Sequence, residues 1–217
     1  MSYAYAIGHL EMVYDDYRNG LYRSALSRYV TPDSVVMDLG AGIGLLGFLA
    51  LAAGARRVVM VEPTVALDAA KVVATHLGLM DRIDFRKQRI EDCTDVEPVD
   101  CIVSVFTGNF LLEEDLLPSL FYARDKWLRP GGVLLPDRGV MECVPISDPV
   151  AYARHVDRWQ QAASGIDLSS LRPFAANNIY PMQRAASESI MLAAPVPIFE
   201  LDFNTATSTS CKVETHV

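Results

Sequence analysis

The sequence predicts an α/β fold, a mostly parallel sheet with helices on both faces. Two observations carry that expectation. Short, unbroken apolar runs of strand length alternate with longer stretches of helical period over roughly the first 135 residues. One of these runs opens directly into a bend with glycine at every second position, Gly40, Gly42 and Gly44, ahead of a further helical stretch. A strand covered on both faces loses the apolar–polar alternation of a half-exposed one, so continuous runs point to a buried parallel sheet.

The elements follow in order. Residues 9 to 30 read as helical, because Leu10, Val13, Tyr14, Tyr17, Leu21, Tyr22, Ala25 and Leu26 recur at three- and four-residue spacing. Thr31-Pro32-Asp33 breaks that pattern, and Val35-Val36-Met37 begins a strand that runs into Asp38-Leu39-Gly40. A helix then extends to Ala53, with Gly54 as its stop. Val58 to Val61 is a second strand ending at Glu62-Pro63; residues 65 to 77 are helical, and Gly78 closes them. Ile83 to Phe85 is a third strand and Cys101 to Val105 a fourth. Glu114 to Leu128 is helical, Pro130-Gly131-Gly132 is a turn, and Val133-Leu134-Leu135 is the fifth strand. Beyond Pro136-Asp137 the texture changes: a strand over Met141 to Ile146, a helical stretch over 149 to 163 rich in Arg, His and Trp, then loops and short strands, notably Val196 to Phe203, and a polar, strand-like tail from Thr205 to Val217. These features divide the chain into residues 1–136 and 137–217.

Bulk properties narrow the function classes. A hydrophobic fraction of 51% and a charged fraction of 21% are ordinary for a globular protein. The net charge of −8 argues against nucleic acid as partner, since neutralising phosphates needs clustered Lys and Arg. No apolar run approaches the roughly 20 residues of a membrane span, and no basic segment precedes an apolar one at the start, so the expectation is a cytoplasmic protein without a membrane partner. Cys93, Cys101, Cys143 and Cys211 are scattered, without the paired spacing of a metal site, so no metal is expected.

The chemistry gathers at strand ends. Glycines between a buried strand and a helix let the backbone approach a ligand, and the helix start behind them offers free N–H groups and a positive dipole end. Asp38 stands at the carboxyl end of the first strand, where open α/β sheets bind ligands, and an acidic group there suits a cationic amine better than a pyrophosphate. Glu62 ends the second strand, 24 positions after Asp38. An acid at that place accepts hydrogen bonds from ribose hydroxyls, in a dinucleotide or an adenosyl ligand alike.

The pattern D-x-G-x-G-x-G followed by V-x-V-E resembles the Rossmann-like class I S-adenosylmethionine methyltransferases. The wider set narrows the resemblance: His9-x-x-Met12-x-x-Asp15-x-x-Arg18-x-x-x-Tyr22, the glycine bend, Arg89-Ile90-Glu91-Asp92, Tyr122-Ala123-Arg124-Asp125-Lys126-Trp127-Leu128-x-Pro130-Gly131-Gly132, and Pro136-Asp137-Arg138 are together similar to protein arginine methyltransferases. That resemblance implies S-adenosylmethionine as cofactor. It implies that Arg18 pairs with the cofactor's methionine carboxylate, that His9 and Met12 help close an N-terminal helix over it, that Asp38 and Gly40 face its methionine portion, and that Gly42 is also cofactor-binding. Glu62 would hold the ribose, and Ile90 and Glu91 the adenine. It further implies a partial β-barrel-like region over 137–217 with a helical arm around Trp159, through which two copies would pair as a homodimer.

Two departures qualify the resemblance. Arginine methyltransferases grip the guanidinium with two glutamates in the loop after the fourth strand. Here Glu114 falls on the second and Val105 on the first, and a valine neither accepts a hydrogen bond nor balances a charge. The family also continues into a fuller barrel with a Thr-His-Trp loop, which this sequence lacks. The expectation is therefore a methyltransferase in which Glu114, with Tyr3, orients the acceptor. The acceptor is left open between a protein arginine and a small molecule or another nitrogen or oxygen, and a non-catalytic adenosyl-binding protein is left open beside both. A nicotinamide dehydrogenase would leave Arg18 and Glu91 without a task.

Overall fold

The computed structural model describes residues 6–106, 111–112, 115–180 and 190–209. They form two compact units. The first runs to Gly139 and is rejoined by the residues from Glu200; the second spans Val140 to Phe199.

The first unit is built on a five-stranded sheet of β1 (Val35–Leu39), β2 (Arg57–Val61), β3 (Ile83–Arg86), β4 (Val99–Ser104) and β5 (Leu128–Leu135). Their order is β3-β2-β1-β4-β5 and every pairing is parallel. The chain order reverses between β1 and β4, which leaves a crevice at their carboxyl ends, and the glycine bend lies there. Alternate residues face opposite sides. Val36, Val58, Met60, Cys101, Val103 and Leu135 pack with apolar residues of α2 (Asp16–Tyr29), α3 (Leu45–Ala52) and α4 (Ala66–His76). The intervening Val35, Met37, Leu39, Val59, Val61, Ile102 and Leu134 are also buried. That double burial is why these strands read as unbroken apolar runs.

The structure departs from the sequence expectations at several places, among them the strand expected over Met141 to Ile146, which runs instead as β6 over Arg138–Cys143, and the helix expected from Glu114, which begins at Leu117. The helix expected over 9 to 30 is interrupted. A short α1 (Leu10–Val13) ends before Asp15, which leaves helical geometry and caps α2 by accepting from the Arg18 backbone N–H at 2.9 Å. The apolar spacing continues across this break although Leu10, Tyr14, Tyr17 and Leu21 are exposed. β5 begins earlier than expected, at Leu128, and Pro130-Gly131-Gly132 is an excursion inside it: Val99 pairs with Leu128, and Cys101 next pairs with Val133. The helix expected over 149 to 163 is shorter, because α6 (Pro149–His155) passes into a 3₁₀ turn at Asp157–Gln160. The strand-like reading of the tail fails for its described part, since residues 206–209 form no strand.

The helix α5 (Leu117–Trp127) packs against β4 and β5. Phe203 lies fully buried beside Phe121 of α5, their ring centroids 6.4 Å apart. Arg124 donates to the carbonyls of Phe203 and Ala206 at 2.6 and 2.8 Å. These contacts bring the residues after Glu200 into the first unit, although the sequence groups them with 137–217. The chain also forms β6 (Arg138–Cys143), β7 (Ile146–Ser147), β8 (Ile190–Met191) and β9 (Val196–Asp202). β6 pairs with β9, and β7 pairs with β8 antiparallel. The second unit also carries α7 (Arg172–Ala176). Among the described residues no helix is long and apolar enough to cross a membrane.

Ile102 is fully buried in β4 beside Met37 of β1. Ile102→Ala is expected to cost about 2–5 kcal/mol of stability, read as a lower urea midpoint with an unchanged slope.

Candidate functional site

The glycine bend is held by backbone and carboxylates together. Gly40 and Ala41 donate N–H groups to the Val61 carbonyl at 2.9 and 3.0 Å, so the bend hangs from the end of β2. Gly40 and Gly42 have φ of +71° and +54°, a region that side chains other than glycine rarely adopt. Space demands glycine as well. A Cβ at Gly40 would lie 2.3 Å from the Phe106 ring, and one at Gly42 2.4 Å from the His9 ring.

Glu62 is buried, and both its oxygens are engaged: Oε2 accepts from Gly42 N at 3.0 Å and Oε1 from Thr64 N at 2.9 Å. A carboxylate has about four lone-pair directions, so acceptor capacity is left for two ligand hydroxyls. Asp38 is 1% exposed, and its Oδ2 accepts from Gly47 N, in the first turn of α3, at 2.7 Å. It thus satisfies one of the free donors at that helix start. Burial pushes the Asp38 carboxyl up to about 7, the Gly47 N–H opposes the shift, and the charge of Glu62 adds to it.

Arg18 sits on α2. Its Nη2 donates to the Met12 carbonyl and, at 3.2 Å, to Asn19 Oδ1. Its Nε is buried without a hydrogen-bond partner among the described residues. Met12 contributes its main-chain carbonyl, and His9 brings the N-terminal segment against the bend through its ring. Ile90 is buried in the turn Ile90–Asp92 after β3; Glu91 beside it is exposed, and its Oε1 accepts from Ser119 Oγ at 2.5 Å. The structure therefore gathers His9, Asp38, Gly40, Gly42 and Glu62 around the bend, while Met12 meets Arg18 and Asn19 of α2 through its carbonyl, and the Ile90–Glu91 turn follows β3. Glu114 and Tyr3, expected to orient the acceptor, lie outside the described residues. Val105 is half-buried and packs against the core cluster.

Asn19 and Ser119 carry no signal in sequence spacing, and Tyr22, though part of the N-terminal motif, makes a contact that the motif does not reveal. Asn19 is buried and donates to the carbonyls of Met12 and Val13 at 3.1 and 2.8 Å, tying α1 to α2. Tyr22 donates to the Ser104 carbonyl at 2.8 Å and so fastens α2 to the end of β4. Burial raises its phenol to about 12, Arg18 opposing and Asp38 adding to that shift. Ser119 contributes through Glu91. Among the described residues no group of three His, Cys, Asp or Glu is placed to hold a metal.

No protein-family model matches the chain. Curated relatives do. The chain is 36% identical over 206 residues to protein arginine N-methyltransferase 6 of Xenopus laevis, matching 92% of this chain and 60% of that protein. It is 35% identical over 209 residues to probable protein arginine N-methyltransferase 6 of Arabidopsis thaliana, matching 94% of this chain and 48% of that one. The chain is a relative of the protein arginine N-methyltransferases. It spans about half to three-fifths of the length of these relatives. Among solved structures it superposes on the Trypanosoma brucei PRMT1 enzyme–prozyme heterotetrameric complex with AdoHcy, with a TM-score of 0.85 at 29% identity, covering 95% of this chain and 65% of that one. It also superposes on Arabidopsis thaliana protein arginine methyltransferase 10, with a TM-score of 0.73 at 27% identity, covering 94% and 64%. This kinship bears out the fold and the family read from the motifs.

The Asp38 shift has a consequence for stability. Its folded value of about 7 lies above the 3.8 of an unperturbed carboxyl, so the folded state holds a proton that the unfolded state has released. The associated stability is complete below about pH 3.8 and is lost as pH rises through about 7. Asp38→Asn is expected to flatten the decline in melting temperature between pH 5 and 8, measured by circular dichroism without ligand.

Proposed function

We propose that this chain binds S-adenosylmethionine and transfers its methyl group to a protein arginine. The observation that carries the reading is the glycine bend at the sheet's reversal point, fastened by Glu62 and backed by Asp38, with the unpartnered Nε of Arg18 nearby in the chain's N-terminal helix. The residues fit the cofactor. A buried guanidinium N–H without an acceptor is what a carboxylate satisfies, and a guanidinium fork suits two oxygens. Arg18 would take the methionine carboxylate, Asp38 and Gly40 the methionine portion, Glu62 the ribose, and Ile90 and Glu91 the adenine.

Bound S-adenosylmethionine supplies an electrophilic methyl carbon on a sulfonium. The chain's own work is to align an acceptor nitrogen with that carbon and keep water out. Glu114, three positions ahead of α5 in the sequence, would orient the nitrogen and receive its proton, with Tyr3 assisting. Val105 stands where the family has its first glutamate and packs into the core, so Glu114 would offset the desolvation of a guanidinium without that partner. The cytoplasm is the compartment we assign, where Cys93, Cys101 and Cys143 remain thiols.

The assembly we propose is a homodimer. The second unit has an open cleft of about 810 Å³ lined in part by Arg154, Arg158, Trp159, Leu171 and Phe174. The N-terminal helices of the first unit expose Leu10, Tyr14, Tyr17 and Leu21 beside Glu11, Asp15 and Asp16. A basic, aromatic cleft on one copy and an acidic, aromatic helix face on the other are complementary in charge and apolar area.

Two measurements test these readings. In a titration with S-adenosylmethionine, Arg18→Ala is expected to weaken binding by about 1.5–3 kcal/mol, as for a lost charge-assisted contact. With tritiated cofactor and an arginine-rich peptide, Glu114→Gln is expected to abolish label transfer while binding stays intact. Cofactor affinity unchanged in Arg18→Ala, or transfer unchanged in Glu114→Gln, rejects the respective assignment. In sedimentation velocity the protein is expected to run as a dimer and the double variant Trp159→Ala, Phe174→Ala as a monomer; a monomeric wild type rejects the pairing.

A further inference from the structure

Helix α5 presents Ser119, Tyr122 and Lys126 on one face, three and four residues apart. All three donate to the segment that follows β3. Ser119 Oγ donates to Glu91 Oε1 at 2.5 Å, and Tyr122 OH to the Glu91 backbone carbonyl at 3.3 Å. Lys126 Nζ donates to the Cys93 carbonyl at 3.2 Å and to Tyr122 OH at 2.7 Å. The same ammonium lies 5.0 and 4.7 Å from the ring centroids of Tyr122 and Trp127. Packing α5 into the first unit does not require this arrangement, because Leu117, Leu120, Phe121, Ala123 and Trp127 form its buried side. The polar face is directed at one short turn, and it holds both the main chain and the side chain of Glu91.

We infer that this face of α5 is a clamp on the nucleobase-reading carboxylate, in which Ser119 fixes Glu91 and thereby sets preference for a 6-amino over a 6-oxo purine. The inference rests on the adenosyl-cofactor reading above. An ionised carboxylate only accepts hydrogen bonds. It holds the exocyclic amino group of adenine and repels the carbonyl that replaces it in hypoxanthine. A free, exposed glutamate would rotate away from that carbonyl and lose the discrimination. With Oε1 taken by Ser119, Oε2 keeps its acceptor capacity and the side chain has fewer rotamers to escape into. Ser119 is thus a positioning residue, and the Tyr122–Lys126 part of the motif gains a task as the support of the Glu91 backbone.

The test uses the full chain, titrated calorimetrically with S-adenosylhomocysteine and with its 6-oxo analogue S-inosylhomocysteine. The wild type is expected to favour the adenosyl ligand by about tenfold or more. Ser119→Ala is expected to weaken adenosyl binding by about three- to tenfold while inosyl binding holds or tightens, so that the ratio collapses. Ser119→Thr, which keeps the hydroxyl, is expected to retain the wild-type ratio. A parallel loss for both ligands in Ser119→Ala leaves the ratio unmoved, marks Ser119 as a packing residue, and overturns the inference. A wild type that binds both ligands equally overturns it as well, with the cofactor reading intact. A wild type that binds neither overturns the cofactor reading and the clamp together.

Discussion

The carboxylate of Glu62 is the joint on which the sheet's carboxyl edge depends. It belongs to the end of β2, yet one oxygen takes an N–H from the bend after β1 and the other an N–H two residues further along its own chain. Backbone donors in such a bend cannot pair within a helix or a ladder, and burying them unpaired would be costly. Asp38 does the same service at the far end of the bend, for the first turn of α3. The two acids and the bend fold as one piece. Among the described residues neither carboxylate forms an ion pair with a basic side chain; burial pushes the Asp38 carboxyl up to about 7, and the charge of Glu62 adds to that shift.

The parts of this architecture legible in the sequence are those fixed by local pattern. Val35–Met37, Val58–Val61 and Ile102–Val103 read as covered strands because they are covered, and Gly40 and Gly42 read as a tight bend because no side chain fits there. Asp38 and Glu62 stand out because they end apolar strands. What escaped the sequence is what depends on partners distant along the chain. Ser119 meets Glu91 across 28 positions, and Tyr22 meets Ser104 across 82. The break at Asp15 hid because an aspartate that caps a helix and one on a helix surface look alike within an amphipathic run. The excursion at Pro130-Gly131-Gly132 looked like a turn before a strand, and only the pairing of Leu128 with Val99 shows that the strand had already begun.

Val105 illustrates a different limit. Aligned with a catalytic acid of the family, it reads as a loss of chemistry. In the fold it also gains a role, since its side chain packs against the cluster formed by the strands and the covering helices. Returning a glutamate to that position would place a charge where the core now has a methyl-rich wall, unless the loop after β4 turned the side chain outward.

The chain's path between the two units carries a consequence for its modularity. It leaves the first unit after Gly139 and re-enters at Glu200, where Arg138 and Glu200 sit 3.3 Å apart as an ion pair. Residues 140–199 are therefore spliced into the first unit as an insert whose two junctions are neighbours. An exchange of that insert for a homologous one, joined at the same pair, would preserve the plug that Phe203 forms against α5. A stop codon placed anywhere inside the insert would remove the plug and open the base of the helix that carries the clamp.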